Sequence, residues 1–355
     1  MKTILHIVGN RPQFIKLAIL YKELSETGIP QKIIHTGQHS SAEMSDIFFS
    51  QLGLPEIDCS LQLQNIHSAD SFISEASVLL QGYFKLTSES IVFVYGDTNT
   101  TLAAAIAAKR IGLPLLHFEA GIRTGDSSMP EEINRLLTDR IANTNYCCTE
   151  KNYLTLLAEG YGTSINCNVK LTGDLMYDAF LKIPFAENKT EVTEKDYVAT
   201  TIHRAANILS KDKLTAIING LNNIHKQICV VMPLHPHTRK RITEYGLKPE
   251  FQILNPLGYP AMKTFLSNSS YVVTDSGGAA REAFFCKKRS VIVMDHPFWP
   301  EIIEADCSTN VSADSLLLYE SFFKLPLLCP DFGKPIFGNG NATQLIKDDI
   351  LNFQN

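Results

Sequence analysis

Two rhythms of apolar residues alternate along the chain. Short runs rich in Val, Ile and Leu, bounded by turn residues, read as buried strands at 3–9, 31–37, 90–96, 114–120, 144–149 and 168–173. Between them apolar residues return every three or four positions, which predicts helices at 13–27, 41–53, 68–87, 100–112, 130–142 and 150–160. The helix at 130–142 opens on Pro130 with an acidic first turn, as a helix N-terminus prefers. Strand–helix alternation of this kind implies a parallel, doubly wound sheet.

The rhythm breaks after Gly173, where residues 174–196 carry a run of charges, and then restarts. Strands are expected at 197–203, 228–235, 251–256, 271–274 and 290–294, with helices at 211–226, 236–246, 261–269 and 279–288. The predicted fold class is α/β, with two Rossmann-like doubly wound parallel-sheet domains, 1–173 and 174–337, facing a cleft. A chain of 355 residues is long enough for two separate cores. Open α/β sheets bind ligands outside the carboxyl ends of their strands, so the turns that follow the strands are where chemistry is expected.

Composition narrows the partners. With 45% hydrophobic and 19% charged residues the chain is an ordinary globular protein, and its net charge of -5 argues against nucleic acid or an anionic membrane as the main partner. No apolar run approaches bilayer length, and "MKTILHIVGN" reaches a turn too soon for a secretory signal. Eight cysteines without a C-x-x-C pair read as buried free thiols, and the protein as cytoplasmic.

Polar clusters do follow the strands. "GNRPQFIK", "HTGQH", "YGDTNTT" and "HFEAGIRTGDSSMPEEINR" belong to the first half, and "TIHRAAN", "PLHPHTR" and "TDSGGAARE" to the second. Ser276, Gly277 and Gly278 close a buried strand and open a helix, a turn whose backbone N–H groups suit a diphosphate; Glu282, one turn on, suits ribose hydroxyls. Arg11, held extended before Pro12, and Lys16 suit a phosphate, as do His203, Arg204 and His235. Asp97 and Glu119 follow strands and Glu131 starts the helix at "PEE"; sharing one cleft they are acid/base candidates, with magnesium binding as the rival reading. Glu132 reads as plain helix-start charge, and Gln38 and His39 as a polar pair. No G-x-G-x-x-G occurs, so a dinucleotide cofactor is not indicated.

With these motifs in order, the chain resembles the non-hydrolysing UDP-N-acetylglucosamine 2-epimerase family over nearly its whole length. The resemblance rests on "RPQFIK", "GQH", "GDTNTT", "EAGIRTGD…PEEINR", "HR…N", "DSGG…E" and "GNGNATQLI". It implies the GT-B fold, with a C-terminal helix at 338–355 packing back on the first domain, and a homodimer. It implies no metal or NAD cofactor and a UDP-sugar substrate, epimerised at C2 by eliminating UDP to a 2-acetamidoglucal and adding it back. Asp97, Glu119 and Glu131 then match the catalytic carboxylates and His203 the essential histidine. Arg11, Ser276, Gly277, Gly278 and Glu282 match UDP contacts, while Gln38, His39 and His235 match positions that bind a second, activating substrate in some members. The chain departs at "HRAAN", where Ala206 replaces an acid, and at "DHPFWPE", where Trp299 replaces a diphosphate-binding arginine. Trp299, with "RPQFIK" and "HTGQH", is similar to relatives acting on UDP-2,3-diacetamido-2,3-dideoxyglucuronic acid. A GT-B glycosyltransferase is the alternative from another class.

Overall fold

The structure, a computed structural model, describes residues 1–38, 52–64, 66–87, 89–187, 192 and 194–354. The helix expected at 41–53 therefore lies almost wholly outside the described residues. The chain divides into two compact units, one formed by Met1–Lys182 with Pro335–Asn355 and the other by Ile183–Lys334.

The first unit is built on seven parallel strands: β1 (Thr3–Val8), β2 (Gln31–His35), β3 (Cys59–Ser60), β4 (Ser90–Tyr95), β5 (Leu115–Ala120), β6 (Thr144–Cys147) and β7 (Asn168–Leu171). Their order is β3-β2-β1-β4-β5-β6-β7, so the direction of winding reverses between β1 and β4. Helices cover the sheet, and β4 is accordingly buried along its whole length. Helix Asn99–Ile111 owes its close approach to alanine: Ala103, Ala104, Ala105, Ala107 and Ala108 have no exposed surface.

This unit extends beyond 173 because of a helix that the charge-rich sequence conceals, Leu175–Lys182. Its Asp178 carboxylate accepts from the N–H groups of Ala342 (3.2 Å) and Thr343 (2.9 Å) and from the Thr343 hydroxyl (2.8 Å). Those are the otherwise unsatisfied donors at the start of the C-terminal helix Ala342–Gln354. Farther along, Lys347 bonds Glu23 at 2.6 Å and Tyr146 donates to Asp349 at 2.9 Å. The backbones of Gly173 and Gly338 meet so closely that a Cβ on Gly173 would stand 2.9 Å from the Phe337 carbonyl.

The second unit holds six parallel strands: β8 (Tyr197–Thr201), β9 (Cys229–Pro233), β10 (Gln252–Leu254), β11 (Tyr271–Thr274), β12 (Ser290–Val293) and β13 (Ser308–Val311). Their order, β10-β9-β8-β11-β12-β13, repeats the reversal, here between β8 and β11. Strand β13 and helices Pro300–Glu304 and Ser315–Lys324 extend the fold past the last strand expected from sequence. Among the described residues no helix is long and apolar enough to cross a membrane.

Candidate active site

In a doubly wound sheet the crevice opens where the strand order reverses. The carboxyl ends of β1 and β4 carry Arg11 and Asp97, and the next strand, β5, carries Glu119 as its penultimate residue. Asn10 is the extended residue that caps helix Arg11–Ser25, its side chain accepting from Gln13 N–H at 3.2 Å. Arg11 is thus already helical, against the expectation that Pro12 would hold it extended.

Glu119 has a left-handed backbone, φ 74°, at a break in the β5–β6 register between Phe118 and Ala120. Such a conformation costs a non-glycine residue roughly 1–3 kcal/mol and persists only where the surroundings impose it. Here Lys16 from helix Arg11–Ser25 forms an ion pair with Glu119, and both side chains are largely buried. Lys16 therefore belongs to the acid cluster. Gly96 is also left-handed, and a Cβ on it would stand 3.1 Å from Glu119 Oε2 and 3.7 Å from Lys16 Nζ. The Glu119–Lys16 pair consequently lies against the turn that presents Asp97.

Helix Pro130–Ile141 reverses the usual amphipathic arrangement. Its buried face carries Glu132, Asn134, Arg135, Thr138 and Asp139, whereas Ile133, Leu136 and Leu137 are exposed. Arg135, without exposed surface, forms an ion pair with Asp97 and donates to Glu132 Oε2 at 2.6 Å. Asn134 donates to the Asp97 carbonyl at 3.0 Å. Glu132 also accepts from Thr124 N–H (3.1 Å), Thr124 Oγ1 (3.0 Å) and Gly125 N–H (3.2 Å). It fixes the loop after β5, which replaces the reading of plain helix-start charge. Glu131, half-buried, precedes this set at the helix start.

Below the acids is a buried layer that the sequence reading missed. Gln13 accepts from Gly9 N–H (2.7 Å) and donates to the Tyr95 carbonyl (2.8 Å), tying β1 to β4. His117 faces the Gly96 carbonyl (2.7 Å) and Asp139 (2.8 Å). Gln38, half-buried and already a candidate from sequence, accepts from Thr100 N–H at 3.0 Å and Thr100 Oγ1 at 2.8 Å. His39 lies outside the described residues.

In the second unit, Ser276 caps helix Gly277–Phe285 by accepting from Ala279 N–H at 3.3 Å. Gly277 is pressed by Phe298, since a Cβ there would come within 2.9 Å of that ring, while Gly278 has more space. Trp299 donates to the Gly277 carbonyl at 2.9 Å and stacks on Arg281 at 5.0 Å; Arg204 lies over Phe298 at 4.3 Å. The organising acid, again missed from sequence, is Asp275. It accepts from the N–H groups of His203 (3.0 Å) and Arg204 (2.9 Å) and from Asn207 Nδ2 (3.1 Å). This brings the His203–Arg204 turn of β8 beside the Ser276–Gly278 turn of β11, at the reversal point of the sheet. His235, exposed at the end of β9, lies 5.9 Å from His203 between ring centroids. Glu282 is buried on the first turns of helix Gly277–Phe285.

Among the described residues no group of three or more His, Cys, Asp or Glu side chains is arranged to hold a metal ion.

The two parallel sheets, with charged turns at their reversal points, place the protein in the GT-B-like class of α/β folds. Within that class the chain belongs to the UDP-N-acetylglucosamine 2-epimerase family, whose model matches residues 22–351. It is 38% identical to the UDP-2,3-diacetamido-2,3-dideoxy-D-glucuronate 2-epimerase of Pseudomonas aeruginosa, over 97% of this chain and 98% of that one. To the UDP-N-acetylglucosamine 2-epimerase of Methanocaldococcus jannaschii it is 33% identical, over 96% of each chain. A crystal structure of the M. jannaschii enzyme in complex with UDP-GlcNAc and UDP superposes with a TM-score of 0.89 at 31% identity, covering 99% of both chains.

Proposed function

We propose that the protein interconverts UDP-N-acetylglucosamine and UDP-N-acetylmannosamine, inverting C2 by elimination and re-addition of UDP. The C2 proton has no adjacent carbonyl to acidify it. Its removal is therefore coupled to departure of the diphosphate: a base takes the proton, the C1–O bond breaks, and the pair left at C2 forms the C1=C2 bond of a 2-acetamidoglucal. In return, the UDP oxygen closes on C1 as an acid delivers a proton to the opposite face of C2. Asp97, Glu119 and Glu131 are the groups assigned to these transfers, with His203, Arg204, Arg11 and the Ser276–Gly278 turn on the diphosphate and Glu282 on the ribose. The observation that carries this reading is the left-handed Glu119, held by Lys16 against the turn of Arg135-bound Asp97.

A second reading, the same inversion on UDP-2,3-diacetamido-2,3-dideoxyglucuronic acid, is favoured by the 38% identity to the Pseudomonas aeruginosa enzyme and by Trp299 in the nucleotide turn. Incubation with both UDP-sugars, followed by proton NMR of H1 and H2, tests the proposal; neither 2-epimer forming would refute it. The protein works in the cytoplasm as a homodimer. The aliphatic face formed by Val78, Ile133 and Leu137, each at least 47% exposed, supports pairing with a second copy.

A further inference from the structure

Two histidines have no exposed surface at the core of the first unit, and their surroundings differ in kind. His6 Nδ1 lies 2.8 Å from the Tyr95 hydroxyl, which can donate, and its Nε2 lies 3.0 Å from Gln31 Oε1. One ring nitrogen accepts and the other donates, so a neutral imidazole satisfies both. His117 has no such choice. Its Nε2 lies 2.7 Å from the Gly96 carbonyl, which only accepts, and its Nδ1 lies 2.8 Å from Asp139 Oδ1.

The Asp139 carboxylate is an acceptor on its other side too. Its Oδ2 takes Gly121 N–H at 3.2 Å and Arg123 NH1 at 2.7 Å, and Arg123 in turn is held by both oxygens of Glu159 at 2.8 and 2.9 Å. Burial pushes Asp139 up, but the hydrogen bonds and charges of His117 and Arg123 outweigh it and leave it below its ordinary value. The neighbouring Cys167 thiol is pushed up to about 12 by burial and then by the Asp139 charge, so it offers no competing anion.

We infer that His117 is a positioning residue that donates from both ring nitrogens at once, clamping the Gly96–Asp97 turn and the Gly121–Arg123 loop to one buried carboxylate, Asp139. Gly96 immediately precedes Asp97, and Gly121 follows Glu119 by two residues. The clamp therefore sets the spacing between the ends of β4 and β5, from which two of the proposed acids project. A buried cation–anion pair whose partners are all satisfied favours one arrangement over its neighbours, because any slip leaves a charge uncompensated. Only its consequence for turnover rests on the reaction proposed above.

The test has two arms. In protein labelled with 15N-histidine, the His117 ring, assigned by its loss in His117→Gln, is expected to show a proton on each nitrogen, one toward the Gly96 carbonyl and one toward Asp139. One protonated and one bare nitrogen overturns the double donation. In the second arm, His117→Phe keeps a ring and removes both donors; kcat is expected to fall about 10- to 100-fold with KM nearly unchanged, the signature of displaced acids. His117→Gln, which returns one N–H toward the Gly96 carbonyl, is expected to recover part of that loss. If His117→Phe does not fold, His117→Gln carries the arm by its own fall in kcat. Wild-type kcat in either variant, or a loss confined to KM, overturns the positioning role. A wild-type protein that turns over no UDP-sugar yet shows both N–H groups refutes the reaction and leaves the clamp intact.

Discussion

Replacing Arg135 with methionine isolates the ion pairs beneath Asp97. The side chain has no exposed surface and holds Glu132 at 2.6 Å as well as Asp97. Methionine keeps much of the length and apolar volume, so the loss is chiefly the guanidinium. Glu132, 4% exposed, then keeps its Thr124 and Gly125 donors but no cation. Breaking a buried pair from one side costs about 3–5 kcal/mol. Whole-domain stability is about 5–15 kcal/mol. At roughly 2–4 °C per kcal/mol for a unit of this size, the unfolding midpoint of the first unit should drop by about 6–20 °C. Calorimetry of the unit formed by Met1–Lys182 with Pro335–Asn355 reads this as a fall in its unfolding transition. Glu132→Gln combined with Arg135→Met removes the orphaned charge, so the double variant should recover about 1–3 kcal/mol relative to the sum of the single losses. Arg135→Met within about 1 kcal/mol of wild type, the worth of an exposed pair, would refute the reasoning, as would strict additivity.

Three further outcomes are expected. Burial lowers His6 from 6.5 to about 4, partly offset by its bond to Gln31; its folded value is depressed, so its stability contribution is complete above the unfolded value and is lost as pH falls through the folded one. Urea denaturation should thus lose up to about 1.4 kcal/mol per pH unit between those values, and His6→Asn should remove that component of the slope. Trp299 is the sole tryptophan in the chain and donates to Gly277, so its fluorescence should report UDP at the Ser276–Gly278 turn. Glu282→Ala should weaken that titration by about 1–3 kcal/mol, and an unchanged affinity would remove Glu282 from the ribose. Gly173→Ala sets a Cβ 2.9 Å from the Phe337 carbonyl at φ 79°, so it should destabilise the first unit and loosen residues 335–354, read by hydrogen exchange.

The central strands were legible because parallel strands buried on both faces are written as unbroken apolar runs, as in Ser90–Tyr95, whereas the two-residue β3 and the polar β13, Ser308–Val311, carry no such run and were not read. The turns that carry Asp97, Glu119, His203 and Ser276 were legible for a related reason, since polar residues abruptly follow those runs. Helix Leu175–Lys182 was concealed because its buried acid, Asp178, is satisfied by residues 342 and 343, far along the chain. His117, Asp139 and Asp275 were missed on the same ground, as was the Asp97 pairing of Arg135: these partners lie on other elements, and periodicity does not record them. The one local signal was in helix Pro130–Ile141, where charged residues at 132, 135 and 139 share a face. An aliphatic stripe ordinarily marks the core side, and here it marks the exposed one.

The most direct test of the central claim is turnover in deuterium oxide, followed at C2. Elimination through Asp97, Glu119 and Glu131 requires the C2 hydrogen to leave and a solvent hydrogen to enter on the other face. The 2-epimer should therefore carry deuterium at C2, and prolonged incubation should release free UDP and glycal. Amides at the three acids should cut turnover by roughly two orders of magnitude or more while leaving UDP binding largely intact. A 2-epimer that retains its original hydrogen at C2 would contradict the account.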